Sequence, residues 1–272
     1  MSEARTAICL ASSMLGHYAH CGFLNELGRH GIRPCRIAGA SAGALAGALW
    51  AGGLRGEDLE REINSLSFRR AFFDLGVLLR LPGVLTWSYA NGIFGGTRMR
   101  KRLGRLIGDR RLEAITDPSL EVAVANLSRR SGEVRREGPL VELVLASMSM
   151  PVLYRPRLVD GEWLADGGVS DAIPFSHWLD DPGVDRILVH EIDYPLERSQ
   201  RMSLAEVVGC CHTIPNSELK RRRRQDAEAS GKEIVFLTTR LPQPKALHGS
   251  KSARRMIESG KETARQWAKS TD

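Results

Sequence analysis

Short apolar runs alternate with longer amphipathic stretches along most of the chain. Apolar runs bounded by Gly, Pro or Asp indicate buried strands, whereas apolar positions three and four residues apart indicate helices. This pattern predicts strands over Thr6–Leu10, Cys35–Ala38, Leu120–Leu127, Glu133–Arg136, Arg157–Leu164, Arg186–Glu191 and Ile234–Thr238. It predicts helices over Ala19–Arg29, Ala42–Ala51, Glu57–Asn64, Thr97–Ile107, Pro139–Met148, Leu204–Cys211, Asn216–Ser230 and Ser252–Lys269. The alternation favours an α/β fold in which helices cover both faces of a mostly parallel sheet.

Length and composition favour one domain over residues 1–272, because no linker or internal repeat divides the chain. The first apolar run, Ala7 to Ala11, is too short for a signal peptide, and no stretch approaches the ~18 apolar residues of a transmembrane helix. The five cysteines have no framework spacing. These features together predict reduced thiols and a cytoplasmic location.

The pentapeptide Gly39-Ala40-Ser41-Ala42-Gly43 is the first candidate for chemistry. It joins a short apolar run to an Ala-rich stretch, which indicates a strand, a sharp turn and a helix with Ser41 at the apex. Such a nucleophile elbow exposes the serine hydroxyl, and the N–H groups of the following helix face the place where negative charge develops. A Gly-x-Ser-x-Gly pentapeptide also arises by chance, so it indicates a catalytic serine only together with its structural context and further motifs.

A second motif, Asp166-Gly167-Gly168, lies far downstream. An Asp160-Gly161 turn joins the runs Arg157 to Val159 and Glu162 to Leu164, which is a strong hairpin signal. Asp166 therefore follows a strand end. Taken alone, it reads either as a catalytic carboxylate or as a turn residue that accepts hydrogen bonds from local N–H groups.

The two motifs together make the chain resemble the patatin-like phospholipases, a family of lipid acyl hydrolases that use a Ser-Asp dyad. The family pattern is a Gly-rich oxyanion loop, then Gly-x-Ser-x-Gly, then Asp-Gly-Gly or Asp-Gly-Ala. The matching segments here are Ala11 to Gly16, Gly39 to Gly43 and Asp166 to Gly168. Leu145 to Pro151 resembles the Ala-Ser-x-x-x-Pro segment that precedes the aspartate motif. The resemblance spans residues 7–174, and residues 175–272 add strands and basic helices.

The resemblance implies a three-layer patatin-like fold and hydrolysis of carboxyl esters of phospholipids or other acyl lipids, with no metal or cofactor. It implies Ser41 as nucleophile and Asp166 as base. The implied oxyanion hole comprises Ser12, Ser13, Met14, Leu15 and Ala42. The implied motif glycines are Gly16, Gly39, Gly43, Gly167 and Gly168.

The oxyanion loop departs from the family pattern. The usual Gly-Gly-Gly is replaced by Ala11-Ser12-Ser13, and the usual basic residue before the last glycine is Leu15. Backbone N–H groups survive a Gly-to-Ser change unless the position requires a positive φ. The departure leaves a lipid-binding pseudoenzyme open as one alternative. A second alternative is an acyltransferase that uses the same Ser41 and passes the acyl group to an alcohol.

Histidine offers another candidate base, because α/β-hydrolases order their triad as Ser, acid, His. His190, at the end of an apolar run, is the only histidine at a credible strand end. We interpret it as a hydrogen-bonded residue near the sheet rather than as the base.

Two regions are candidates for lipid contact. The segment Phe68 to Phe94 is too apolar for an ordinary solvated loop and predicts either a lid or a buried subdomain. The run Lys220 to Arg224, in a chain of net charge +7, suits anionic headgroups or a solvated helix face. Nucleic acid is not expected, because no aromatic side chains interleave with the basic ones. We therefore expect reversible attachment to an anionic membrane, and the sequence carries no signal for oligomeric state.

Overall fold

The computed structural model describes residues 4–74, 76, 80, 82–83, 85–86, 92–195, 204–242 and 249–271. Its strands are β1 (Thr6–Leu10), β2 (Arg36–Ala40), β3 (Ser119–Asn126), β4 (Ser131–Arg135), β5 (Arg157–Val159), β6 (Glu162–Asp166), β7 (Arg186–Asp193) and β8 (Glu233–Arg240). Its α-helices are α1 (His17–Arg29), α2 (Ala42–Ala51), α3 (Gly56–Asn64), α4 (Leu66–Ala71), α5 (Thr97–Ile107), α6 (Leu140–Ser147), α7 (Leu204–Ser230) and α8 (Ser250–Thr271).

One sheet contains all of these strands, in the order β5-β6-β3-β2-β1-β7-β8, and β4 pairs with β3. Strands β3, β2, β1, β7 and β8 are parallel, whereas β4 and β6 run antiparallel to β3. The predicted mostly parallel sheet is therefore confirmed. Because parallel strands point the same way, β2, β1 and β7 bring their carboxyl ends to one edge of the sheet.

Two hydrophobic cores lie on opposite faces of the sheet. Alternate residues of β1 divide between them: Ile8 and Leu10 join the larger core, whereas Ala7 and Cys9 join the smaller one. The larger core takes side chains from α1, α2, α6 and α8, and the smaller takes Phe175, Trp178 and Ala227 of α7. Helices therefore cover both faces, as the alternating sequence predicts.

One predicted boundary is wrong. Pro215 suggests a break between two helices, Leu204–Cys211 and Asn216–Ser230, but α7 is continuous and contains the proline. The turns after Pro215 are fixed to the body of the protein, since Asn216 Nδ2 donates to Gly168 O at 2.6 Å and Arg223 pairs with Asp171 at 3.1 Å. These contacts stabilise helical backbone beyond a residue that removes one backbone donor.

The predicted hairpin turn is confirmed. Asp160 and Gly161 both adopt positive φ, 49° and 80°, as a type I′ turn between β5 and β6 requires. The strand predicted over Arg157–Leu164 is therefore two strands, and the second extends to Asp166.

The apolar segment Phe68 to Phe94 is described only in part. Phe68 is fully buried, Phe72 O accepts a hydrogen bond from Tyr154 at 2.9 Å, and Asp74 Oδ2 accepts one from the Gly95 N–H at 2.6 Å. These parts pack on the body of the protein. Several apolar residues of the predicted lid lie outside the described residues, namely Leu75, Val77, Leu78, Leu79, Leu81, Val84, Trp87 and Tyr89. The lid remains a prediction. Within the described ranges, every helix is too short or too polar to cross a membrane.

Candidate active site

The sheet itself brings Ser41 and Asp166 together. Strand β2 ends with Ala40 opposite Ala123 of β3, and β6 ends with Asp166 opposite Val124, the next residue of β3. Strand β4 pairs with Val122 to Asn126 of β3, which overlaps the residues of β3 that pair with β2 and with β6. Because β4 occupies one side of β3 there, β2 and β6 both lie along its other side. Their ends therefore meet there, and the residue after β2 faces the last residue of β6.

Ser41 occupies a strained turn between β2 and α2. Its backbone has φ 52° and ψ −115°, a conformation that side-chain-bearing residues rarely adopt. A Cβ on Gly39 would lie 2.4 Å from the Gly43 carbonyl carbon, and one on Gly43 would lie 2.1 Å from Leu10 O. Both positions therefore require glycine, and the pentapeptide forms the predicted elbow because β1, the turn and α2 pack backbone to backbone.

The Ser41 hydroxyl donates to Asp166 Oδ2 over 2.7 Å. The other carboxyl oxygen, Oδ1, accepts the Gly168 N–H at 2.8 Å, and the Asp166 N–H donates to Ser149 O at 3.1 Å. Asp166 is only 3% exposed. Burial raises its pKa to about 7, although the Ser41 and Gly168 hydrogen bonds act to lower it. The carboxyl is thus a useful proton acceptor near neutral pH rather than a weak base of pKa near 4.

The turn after Asp166 is held from both sides. A Cβ on Gly167 would come within 2.2 Å of Ala123 O, so this glycine lets the turn pack against β3. From the other side, Asn216 of α7 donates to Gly168 O at 2.6 Å. Sequence reasoning missed Asn216, because nothing in its neighbourhood marks a residue 50 positions from Asp166 as a partner of this turn.

Ser147 supports the elbow and was also missed as a site residue, although it lies in the segment that carries the resemblance. Its buried hydroxyl accepts the Ser41 N–H at 2.9 Å and donates to Ala123 O at 2.6 Å. One hydroxyl therefore ties the strained turn to β3, and it satisfies a backbone donor that a strand or helix would otherwise pair.

We expect Ser147→Ala to reduce ester hydrolysis about 10- to 100-fold and to lower the free energy of unfolding by about 1–3 kcal/mol, because two buried backbone groups lose their partner. Ser149→Ala is the matched control, since among the described residues the Ser149 hydroxyl bonds only to Leu145 O. Kinetics on a soluble ester and urea unfolding measure both effects. Equal losses in the two variants would contradict a specific role for Ser147.

The oxyanion loop follows β1 and lies against the turn after Asp166, since a Cβ on Gly168 would come 2.1 Å from Ser12 Oγ. The prediction that Ser12 contributes a backbone donor is wrong, because its N–H already donates to Ala172 O at 2.8 Å. In the part of the chain that the structure describes, the N–H groups of Ser13, Met14, Leu15 and Ala42 have no acceptor.

The loop tolerates the loss of its glycines for a conformational reason. Leu15 is the one loop position with positive φ, 57°, whereas Ser12 and Ser13 have ordinary negative φ values that serine adopts readily. Tyr194, which follows β7, donates its hydroxyl hydrogen to Met14 O and fixes the loop beyond the sheet edge. Gly16 is required because a Cβ there would meet Ser13 Oγ at 1.9 Å.

His190 is a fully buried structural residue, as interpreted from the sequence. His20 Nε2 donates to Ala11 O at 2.9 Å, so the neutral His20 ring accepts at Nδ1 from His190 Nδ1 at 2.8 Å. His190 Nε2 then accepts from Thr239 Oγ1 at 2.8 Å. Burial lowers the pKa of both rings, that of His20 to about 3. Both nitrogens of His190 are occupied, and neither bonds to Ser41.

The basic run Lys220 to Arg224 is engaged within the protein. Lys220 pairs with Glu191 at 3.1 Å, Arg224 also pairs with Glu191, and Arg223 pairs with Asp171. Arg221 and Arg222 both pair with Glu218. The run attaches α7 to β7 and to the turn after Asp166 through Lys220, Arg223 and Arg224, whereas Arg221 and Arg222 pair within α7 and remain exposed. Contact of this run with anionic headgroups remains a prediction. No cluster of metal-ligating side chains occurs among the described residues.

The sequence is similar to parts of several longer known proteins. It is 32% identical over 177 residues to an uncharacterized NTE family protein of Mycobacterium tuberculosis, which covers 64% of this chain and 46% of that protein. It is 29% identical over 161 residues to patatin-like phospholipase domain-containing protein 7 of Mus musculus, covering 57% of this chain and 11% of that protein. The chain thus spans less than half the length of these relatives.

The structure of VipD from Legionella pneumophila superposes with a TM-score of 0.52 at 15% identity, covering 99% of this chain and 67% of that one. This likeness concerns the fold. The family model described as patatin-like phospholipase matches residues 13–177, a stretch that contains the loop from Ser13 onward, the elbow and the aspartate turn. This match, over more than half of the sequence, shows that the chain belongs to the patatin-like phospholipase family.

Proposed function

We propose that this protein is a lipid acyl hydrolase that cleaves carboxyl esters through a Ser41–Asp166 dyad. The observation that carries the proposal is the 2.7 Å hydrogen bond from Ser41 Oγ to a buried carboxylate whose pKa is raised to about 7. Family membership supports lipid hydrolysis in general. The assignment of the dyad and of carboxyl esters as substrates is our inference from the geometry.

In the proposed acylation step, Ser41 Oγ attacks the ester carbonyl carbon while its proton passes to Asp166 Oδ2. A tetrahedral oxyanion forms and then collapses. The bond to the leaving alcohol breaks, and the alcohol takes the proton back from Asp166. The product is an acyl-enzyme at Ser41, with the dyad carboxylate restored.

In the proposed deacylation step, Asp166 accepts a proton from water as the water oxygen attacks the acyl carbonyl carbon. Collapse of the second tetrahedral intermediate breaks the bond to Ser41 Oγ, which takes the proton from Asp166. A pKa of about 7 suits this exchange, because a group near neutrality both accepts and returns a proton readily.

We assign the oxyanion hole to the backbone N–H of Ala42 and to those of Ser13, Met14 and Leu15. Within the described residues these groups donate to no other acceptor, unlike the N–H of Ser12. The N-terminus of α2 adds a favourable field for negative charge. Each such donor typically contributes about 100- to 1,000-fold to the rate.

The experiment compares hydrolysis of a soluble p-nitrophenyl ester with fatty acid release from phospholipid vesicles, with and without added acceptor alcohol. We expect free acid from both substrates. A folded protein that binds acyl lipid without turnover would instead identify a pseudoenzyme. A product dominated by the transacylated alcohol would identify an acyltransferase.

A further inference from the structure

Three exposed apolar side chains lie side by side across β3, β6 and β5. Leu158 stands directly opposite Trp163 in the β5–β6 pairing. The Leu127 N–H donates to Trp163 O at 2.8 Å, which extends the β3–β6 register by one residue beyond the pair Asn126 and Leu164. Residues directly opposite one another project from the same face of a sheet. Leu127, Trp163 and Leu158 therefore form one row, which we call the apolar row.

The apolar row is unusual for its continuity. Single exposed apolar residues are common on protein surfaces, whereas contiguous ones mark contact surfaces. The exposed fractions are 47% for Leu127, 41% for Trp163 and 57% for Leu158. Their neighbours along the strands, Leu164 and Val159, are buried, so the alternation that fills the core leaves this row on the outside.

The apolar row stands on the same edge of the sheet as the dyad. Strands β2 and β3 are parallel, Ser41 follows the end of β2, and Asp166 lies opposite Val124. Leu127 is three residues further along β3, which places the row about 10 Å beyond the dyad in the strand direction. Asp166 and Trp163 are three positions apart on β6, so their side chains project from opposite faces of the sheet, and the row and the dyad share this end of the sheet but not one face.

The charges around the row are mainly positive. Residues 127–136 and 157–164 contain five arginines and three carboxylates. Arg129 and Arg130 lie exposed in the turn that follows Leu127. Glu162, beside Trp163, pairs with both Arg129 and Arg135, and Glu133 also pairs with Arg135, so these four charges balance one another and the remaining charges of the two segments are net positive.

We propose that the apolar row is an interfacial anchor that seats the protein on a lipid surface with anionic headgroups, an inference that rests on the proposed lipid hydrolysis. Trp side chains favour the boundary between headgroups and acyl chains, and arginines near an anionic surface add attraction. A second copy of the chain is a poorer occupant, because it would bring two sets of arginines together. The anchor holds the end of the sheet that carries the dyad close to the lipid layer.

The test measures flotation of the protein with vesicles of ether-linked phosphatidylcholine, with and without ether-linked phosphatidylglycerol. Ether lipids contain no carboxyl ester, so binding is independent of the proposed hydrolysis. We expect wild type to float with the anionic vesicles. The double variant Leu158→Ser with Trp163→Ser should partition about tenfold more weakly, because two apolar side chains no longer leave water. Leu66→Ser, an exposed apolar residue on α4 outside the row, should behave as wild type.

Hydrolysis of a soluble p-nitrophenyl ester separates this inference from the proposed function. We expect the double variant to retain wild-type turnover of that ester, since the row touches neither dyad residue. The proposed anchor would be contradicted if the double variant floated as well as wild type. It would also be contradicted if wild type did not float with the anionic vesicles. A lipid-free dimer that the double substitution dissociates would assign the row to self-association instead. Absence of ester turnover in wild type would refute the proposed hydrolase and leave the flotation result to stand by itself.

Discussion

Ser41→Ala is expected to lower ester hydrolysis by at least about 10,000-fold, because it removes the atom that forms the acyl-enzyme. It should also abolish covalent labelling by a fluorophosphonate, which reacts when the serine oxygen displaces fluoride from phosphorus. Kinetics on a soluble ester and intact-protein mass spectrometry measure the two effects.

Ser149→Ala provides the control for this variant. The Ser149 hydroxyl lies in the segment beside the dyad, but within the part of the chain that the structure describes it bonds only to the carbonyl of Leu145 in α6. Ser149→Ala should retain both hydrolysis and labelling. Residual hydrolysis by Ser41→Ala within tenfold of wild type would contradict Ser41 as nucleophile. Loss of activity in both variants would point to general disruption of the elbow rather than loss of one atom.

Asp166→Asn is expected to lower hydrolysis about 1,000-fold, because an amide cannot accept the serine proton. The shape of the side chain is retained. Its oxygen can still accept the Gly168 N–H, as Asp166 Oδ1 does at 2.8 Å. The loss should therefore appear in kcat more than in KM.

The same substitution is expected to stabilise the protein above neutral pH. Burial raises the Asp166 pKa from 3.8 to about 7, so the folded state favours the protonated carboxyl. This favourable contribution is fully present below the unfolded-state pKa and is lost as pH rises through about 7. Wild type should thus lose up to about 4 kcal/mol of unfolding free energy between acidic and alkaline pH from this group, and the variant should not.

Asp171→Asn is the matched control for both effects, because it makes the same chemical change within the same turn. Asp171 accepts the Ile173 N–H at 3.0 Å, a bond that an amide oxygen can also accept, and it forms a half-buried ion pair with Arg223 at 3.1 Å. Its hydrolysis should stay within a few-fold of wild type. An Asp166→Asn variant that keeps activity, or that is less stable than wild type at alkaline pH, would contradict the buried-base assignment.

The strained backbone of Ser41 and the buried carboxyl of Asp166 both oppose folding, yet the structure maintains them. Ser41 holds a positive φ of 52°, and Asp166 is a carboxyl taken out of water. Neither arrangement favours folding, and surrounding contacts from Ser147, Asn216 and the motif glycines maintain both. Local features that oppose stability yet persist are typical of functional sites.

The sequence predicts those parts of the fold that depend on local pattern. Strand β1 and helix α2 have the predicted bounds, because an apolar run before a turn and an Ala-rich stretch after Ser41 favour single local conformations. The Asp160-Gly161 turn is equally local. The elbow and the aspartate turn could be recognised from the sequence because each contains glycines at fixed positions. Those glycines are required where two backbone segments pack too closely for a Cβ atom.

Contacts between distant segments could not be predicted in this way. Nothing near Lys220 to Arg224 shows that Lys220 and Arg224 pair with Glu191, or Arg223 with Asp171, rather than with solvent. The hydrogen bond from the Ser12 N–H to Ala172 O also depends on how two loops distant in sequence pack together. The continuity of α7 through Pro215 follows from tertiary contacts that outweigh a local helix-breaking preference.

The most direct test of the dyad is the pH dependence of fluorophosphonate labelling in wild type, with the modified residue mapped by peptide mass spectrometry. We predict a single adduct at Ser41. Its rate of formation should fall about tenfold per pH unit below about 7, as Asp166 becomes protonated, and level off above that pH. The same profile should be absent in Asp166→Asn. An adduct on another residue, or a Ser41 labelling rate that does not change across neutral pH, would contradict the Ser41–Asp166 dyad.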